Sequence, residues 1–495
     1  METARPPEQH RLDDPLSLPT AGPRAVRGGA IRVAGYLLGS GLAAAASIIL
    51  LRYLGVVDFG RYVTVMSVVA IVTGLTDVGL TLVGQREYVL QGTDEARRQL
   101  TATVLGIRFL VTPIAVALAV LFAFVAGYGT KLVLGTAIAG TSLIFANAAL
   151  TFTIPLTAQL RFGAVTVAEV AQQLLTVAGN ALLVAVGAGL LAFFGVQVVA
   201  AFGALVLTAA LLGRRHLSWP RFVGSEWRSI LVEALPMGLA VVVSVLYLRA
   251  LVVMASLLTS GYETGLFATS YRILQILVAV PALMVGSAFP IMAATASSDH
   301  ARLRYILQRL LEASLLVAII LVIVLAIAAE PIVRILGGSA YTPAATVLRI
   351  QAFALLGGFA SVVWTTALIA IRRQAALIVI NGLAFACVVA LGGALIPWLG
   401  AKGAAIAAVS GESLLALVAL TMLVRAGRGF VPHLGFLARI APGALLAAGC
   451  GLIPAVPALG RAGLGVLVFL AASLAFRAVP PEITDVVTSW RRPAI

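Results

Sequence analysis

Residues 170–213 read VAQQLLTVAGNALLVAVGAGLLAFFGVQVVAAFGALVLTAALLG, 44 positions without one charged side chain. Such a run has too few polar groups to be solvated by water. In lipid every backbone N–H and C=O must be bonded internally, which makes the run helical. One crossing takes about 20 mostly apolar residues at a rise of about 1.5 Å each. The stretch is long enough for two crossings, divided at Gly189.

Working outward, short polar interruptions cut the chain from residue 30 to 479 into segments of the same kind. They predict spans at 30–51, 62–83, 102–126, 132–155, 164–188, 190–213, 231–258, 264–292, 305–329, 344–371, 374–396, 403–424, 439–456 and 461–479. The expected fold is all-α, a polytopic membrane protein of about fourteen helices. Composition agrees, because 61% of the 495 residues are apolar and 11% are charged, a ratio outside that of water-soluble domains. The first apolar run exceeds the 7 to 15 residues or so of a signal-peptide core, so it reads as an uncleaved helix. Residues 1–29, rich in Pro, Arg and acidic side chains, lack apolar periodicity and read as a disordered tail.

The net charge of +15 raises nucleic acid as a partner, but the arginines sit in short loops between spans, where membrane orientation accounts for them. Twenty-three basic residues fall in one set of alternating segments. They include Arg86, Arg97, Arg98, Arg161, Arg214, Arg215, Arg302, Arg304, Arg372, Arg373 and Arg425. The opposite loops hold six: Arg52, Arg61, Lys131, Arg334, Lys402 and Arg461. Cytoplasmic loops retain Lys and Arg, so both termini are expected in the cytoplasm. Cys387 and Cys450 lie in apolar spans and indicate neither a disulfide framework nor a metal cluster.

The organisation repeats. Gly55-Val-Val-Asp-Phe-Gly60-Arg-Tyr62 and Gly261-Tyr-Glu-Thr-Gly265-Leu-Phe267 each link the first and second helix of a six-helix set. Arg161 and Arg373 are each followed eight residues later by a polar residue within the next helix, Glu169 and Asn381. Repeats in the same orientation are related by an axis along the membrane normal. The expected domains are a tail (1–29), an N-terminal lobe (30–213), an inter-lobe loop (214–230), a C-terminal lobe (231–425), two extra helices (426–479) and a tail (480–495).

Leu51-Arg-Tyr-Leu-Gly-Val-Val-Asp-Phe-Gly-Arg-Tyr62, then Leu75-Thr-Asp-Val-Gly-Leu80 and Gln85-Arg-Glu87, resemble the start of the polysaccharide transporter family. Its members include Wzx-type oligosaccharide flippases, and it shares a superfamily with lipid II flippases and multidrug and toxin extruders. The resemblance implies flipping of a polyprenyl-diphosphate-linked oligosaccharide across the bacterial cytoplasmic membrane by alternating access. The partners expected are the lipid-linked substrate and membrane lipids, with H⁺ or Na⁺, polysaccharide polymerase and glycosyltransferases as candidates; no cofactor is expected.

Enzyme signatures are missing where the sequence tests them. No lysine follows a glycine, which removes the P-loop; the four histidines fall in loops; and G-x-S-x-G does not occur. The informative residues are ionisable groups inside spans, each costing roughly 2.5 to 3.5 kcal/mol at a helix centre. Arg108 and Arg439 sit near interfaces and read as snorkelling side chains. Glu169 and Glu312, within two turns of an interface, read as structural.

Arg249 and Arg272 flank the turn at Gly261, 12 residues before it and 11 after, and so share one depth on antiparallel helices. Arginine forks bind phosphate oxygens in pairs. With Arg349 they form a candidate diphosphate clamp, the alternative being packing pairs with buried carboxylates. Glu412, mid-way along its helix, is the candidate for ion coupling, set against a static ion pair with one of those arginines. Asp77 is the second coupling candidate, set against anchoring the helix end at Thr-Asp-Val-Gly. A multidrug antiporter is the alternative function, and a membrane-embedded assembly factor the third. The buried arginines favour an anionic substrate over a cationic drug.

Overall fold

The structure, a computed structural model, describes residues 21–296, 299–427, 431–433, 435–454, 456–476 and 478–479. The expected tails over 1–20 and 480–495 lie outside these residues. Helix begins at Ala21, so the membrane-entering helix takes in residues 21–29 as well.

The helices are α1 (Ala21–Asp77), α2 (Leu80–Leu90), α3 (Asp94–Val125), α4 (Thr130–Ala158), α5 (Phe162–Ala185), α6 (Leu190–Leu212), α7 (Gly224–Leu258), α8 (Gly261–Leu277), α9 (Ala279–Thr295), α10 (His300–Gly337), α11 (Ala344–Ala352), α12 (Ala354–Ala370), α13 (Ala376–Leu399), α14 (Ala401–Ala426), α15 (Gly435–Cys450) and α16 (Ala458–Ala475). Twelve helical stretches are long and apolar enough to cross a membrane. The first, Ala34–Leu90, has 57 residues. A straight helix of that length would run about 85 Å against a hydrocarbon core of about 30 Å. It breaks at Gly55, whose φ of 70° and ψ of 175° suit a residue without Cβ, and so it supplies two crossings. With the shorter apolar helix Gly435–Cys450 the described residues hold fourteen membrane-crossing segments, and the protein is an all-α, multi-pass membrane protein.

Two compact units divide the chain. The first takes the chain up to Ile49 and then Val69–Val241. There α4 packs on α6 and α3 around cores that include Leu80, Val104, Ile107 and Ile154, and Leu105, Phe152 and Leu156. The second takes Leu50–Val68 and the chain from Val242 onward, with α14 packed on α13 and α12, and α10 on α12 and α16. The division departs from the parts read from sequence in three places: the tip joining the first two crossings belongs to the second unit, the start of α7 to the first, and α15 and α16 are not set apart from the second.

Within the second unit the two glycine motifs meet. A Cβ on Gly60 would lie 2.7 Å from the Gly261 carbonyl oxygen, and one on Gly265 2.0 Å from that of Val56. The backbones touch, and any side chain would force them apart. The other repeat is equally concrete. Leu160 and Arg372 each take a left-handed conformation, with φ of 57° and 59°. The next amide in each case, Arg161 or Arg373, donates to a carbonyl five residues back at 2.8 Å. A non-glycine residue costs about 1–2 kcal/mol in that region, and the chain accepts it at both equivalent turns.

Helix starts follow local chemistry. Thr93 caps α3 by accepting from the Ala96 amide, with Asp94 and Glu95 in the first turn. Ser260 caps α8 by accepting from the Glu263 amide at 3.2 Å. Glu263 Oε2 in turn accepts the Ala401 amide at 2.8 Å, capping α14 from a distant part of the chain.

Candidate functional site

In the second unit, α7, α8 and α14 bring polar side chains together in a mostly apolar bundle. The Tyr247 hydroxyl donates to Glu412 Oε1 at 2.8 Å. The glycine pair of α12 makes room for this contact: a Cβ on Gly357 would meet the Glu412 carbonyl oxygen at 2.7 Å, and one on Gly358 its Oε2 at 3.4 Å. Tyr271 stacks on Phe267 with centroids 5.7 Å apart, and its hydroxyl donates to the Leu248 carbonyl. Arg272 Nη1 donates to Gln275 Oε1 at 3.4 Å. Arg249 lies within electrostatic reach of both Arg272 and Tyr271, and Tyr271 within that of Glu412.

The cluster therefore holds Arg249, Arg272 and Glu412, three of the residues singled out by sequence. Glu412 makes no ion pair among the described residues, and its carboxylate takes a neutral hydroxyl donor instead. Arg349 is placed differently. It is exposed on α11 and donates from Nε to the Ala326 carbonyl of α10 at 3.2 Å. Two residues further on, buried Gln351 accepts from the Ser270 hydroxyl at 2.7 Å and joins α11 to α8.

Asp77 stands in the first unit at a break in the chain. Val78 and Gly79 both have positive φ, 37° and 77°, and α2 starts anew after them. The Asp77 carboxylate accepts the Thr81 hydroxyl at 2.5 Å and the Thr81 amide at 3.3 Å, and it pairs with Arg108. Arg108 also donates to the Asn147 carbonyl at 3.0 Å and to the Thr151 hydroxyl at 2.8 Å. Asn147 Nδ2 donates to Thr76 at 3.0 Å and to Thr112 at 2.8 Å, which ties α1, α3 and α4 into one network.

The snorkelling reading of Arg108 is corrected here: the side chain is 1% exposed. Its guanidinium is held by Asp77, the Asn147 carbonyl and the Thr151 hydroxyl from other helices rather than by solvent. The readings of Glu312 and Glu169 separate. Glu312 is buried and bonded to Arg309 at 2.7 Å and Gln308 at 2.8 Å, whereas Glu169 is exposed.

Sequence reasoning passes over Asn147, Thr151, Tyr247 and Tyr271. Tyr247 and Tyr271 do carry a signal, since each lies within two residues of a candidate arginine. Among the described residues no three His, Cys, Asp or Glu side chains gather as a metal site would need.

A family described as "Polysaccharide biosynthesis protein" matches residues 25–297. No curated protein sequence matches the chain. A structure of the lipid II flippase MurJ in an inward closed conformation superposes with a TM-score of 0.76 at 13% identity, covering 92% of this chain and 99% of that one. An inward-facing multidrug resistance MATE family transporter of the MOP superfamily gives 0.64 at 13% identity, over 80% and 97% of the two chains. A MOP superfamily transporter from Pyrococcus furiosus, described as having a binding pocket of reversed polarity, gives 0.56 at 13% identity, over 81% and 95%. At such identities the likeness establishes a common fold.

Proposed function

Since the chain belongs to the family of polysaccharide biosynthesis proteins, we propose that it is a flippase. It carries a polyprenyl-diphosphate-linked oligosaccharide across the bacterial cytoplasmic membrane, both termini lying in the cytoplasm, and it acts as a carrier rather than an enzyme. The observation that carries this reading is that Arg249 on α7 and Arg272 on α8, both in the apolar second unit, lie within electrostatic reach of each other. Two like charges that feel each other in an apolar surrounding repel, and an anion bound by both offsets the repulsion. A diphosphate offers oxygens to both forks. Arg349, on the neighbouring α11, is a further candidate for the anionic part of the substrate. Relatives of this fold that carry lipid II or drugs support a transport function, with the drug reading as the competitor.

The two readings part on binding. Purified protein should gain thermal stability from a polyprenyl-diphosphate oligosaccharide and none from lipophilic cations. Stabilisation by the cations alone would favour the drug exporter.

The orientation rests on the arginine distribution. Reporters fused after Gln91, Ser218 and Arg373 should be cytoplasmic, and those after Gly129, Gly261 and Ser339 extracytoplasmic. One inverted reporter in this series would break the assignment.

For coupling, Glu412 is the candidate. Its carboxylate is bonded to a neutral phenol, and it has the freedom to bind H⁺ or Na⁺ in one state of the carrier and release it in another. The pairing of Asp77 with buried Arg108 supports the anchoring role for that residue. Glu412→Gln retains an acceptor for Tyr247, so the protein should stay folded. Transport should lose its dependence on the ion gradient while downhill exchange continues. Transport by this variant that still follows the gradient would remove Glu412 from the coupling.

A further inference from the structure

On the arginine-rich side of the first unit, α2, α3 and α7 enclose an open cleft of about 330 Å³. This is within the roughly 300–1,000 Å³ range of small-molecule sites. Polar pairs four residues apart line it: Glu87 on α2 with Gln91 just past its end, Gln99 and Thr103 on α3, Ser229 and Glu233 on α7. Residues at i and i+4 share a helix face, so three polar faces converge on one space in a chain that is 61% apolar.

The walls are fixed. Arg86 donates from Nε and Nη2 to Glu87 Oε1, at 3.1 and 2.9 Å, and bridges to Glu233 Oε1. Ile230, which also lines the cleft, belongs to the buried core formed with Tyr88, Val104 and Ile107.

The chemistry of the lining narrows what fits. No Lys or Arg lines the cleft, which disfavours a phosphate or other anion. The two carboxylates share the charge of Arg86, which weakens the attraction for a cation. The Thr103 hydroxyl already donates to the Gln99 carbonyl and the Gln99 amide to Glu95; the Gln91 amide and the remaining acceptor oxygens of Glu87, Gln99 and Glu233 are the complement of a neutral polyhydroxyl ligand.

We propose that this cleft is a subsite for the sugar portion of the lipid-linked substrate, engaged on the arginine-rich side of the membrane. The proposal rests on the flippase reading.

The test uses the full chain in lipid nanodiscs and two probes: the polyprenyl-diphosphate glycolipid extracted from cells lacking this protein, and sugar-free polyprenyl diphosphate. Gln91→Ala removes hydrogen-bonding capacity, and Ala96→Trp fills the cleft from its α3 wall. Wild-type protein should bind both probes, the glycolipid more tightly. Each variant should weaken glycolipid binding roughly tenfold, the equivalent of one or two hydrogen bonds, and leave sugar-free diphosphate binding unchanged. Variants that bind the glycolipid as wild type does, or lose both probes equally, would overturn the subsite. Wild-type protein that binds neither probe would instead overturn the flippase reading beneath it.

Discussion

Arg108→Ala is expected to destabilise the protein by about 3–5 kcal/mol, the range for breaking a buried pair from one side. The substitution strands the Asp77 carboxylate and also removes the donor shared by the Asn147 carbonyl and the Thr151 hydroxyl. The carboxylate holds the start of α2 after the left-handed Val78 and Gly79, so the break between α1 and α2 should loosen with it. Thermal denaturation in detergent measures the loss. Arg108→Met combined with Asp77→Leu should recover part of it, because no charge is then stranded, while the Asp77 bonds to Thr81 are still lost. Unchanged stability in Arg108→Ala would remove the pair as an anchor.

The second large effect falls on transport. Arg249→Ala and Arg272→Ala should each reduce translocation to background while the protein inserts and melts normally. A charge-assisted hydrogen bond contributes about 1.5–3 kcal/mol, and truncating either arginine deletes at least one such bond to the diphosphate. Lysine at either position should rescue poorly, since an ammonium does not reproduce the planar fork. Normal glycan export by either alanine variant would dismiss the clamp.

Much of the fold is legible in the sequence because lipid imposes a single rule on length and polarity. The uncharged run at 170–213 divides into α5 and α6, with the turn where Gly187 and Gly189 stand. The glycine motifs at Gly55 and Gly261 are legible as a repeat. That Gly60 and Gly265 pack backbone to backbone is not, since contact between distant turns leaves no local pattern. Arg161 and Arg373 mark turns that share a left-handed residue and a hydrogen-bond pattern.

The site is legible in part. Spacings of 12 and 11 residues about Gly261 put Arg249 and Arg272 within electrostatic reach of each other, because antiparallel helices convert sequence distance from a turn into position along their axes. The partner of Glu412 is hidden, because Tyr247 meets it only where Gly357 and Gly358 let α12 and α14 approach. Arg108 is misread because its partners, Asp77, Asn147 and Thr151, lie 31 to 43 residues away in sequence and leave no local pattern.

The central claim is translocation of a lipid-linked oligosaccharide, and reconstitution tests it most directly. Liposomes containing the extracted glycolipid in both leaflets are treated with an impermeant enzyme that modifies the sugar from outside. With wild-type protein the inner-leaflet pool should become accessible as well. With Arg249→Ala or Arg272→Ala, modification should stop at the pool that began outside. Wild-type vesicles that expose no more glycolipid than protein-free vesicles, under every ion gradient applied, would contradict the account.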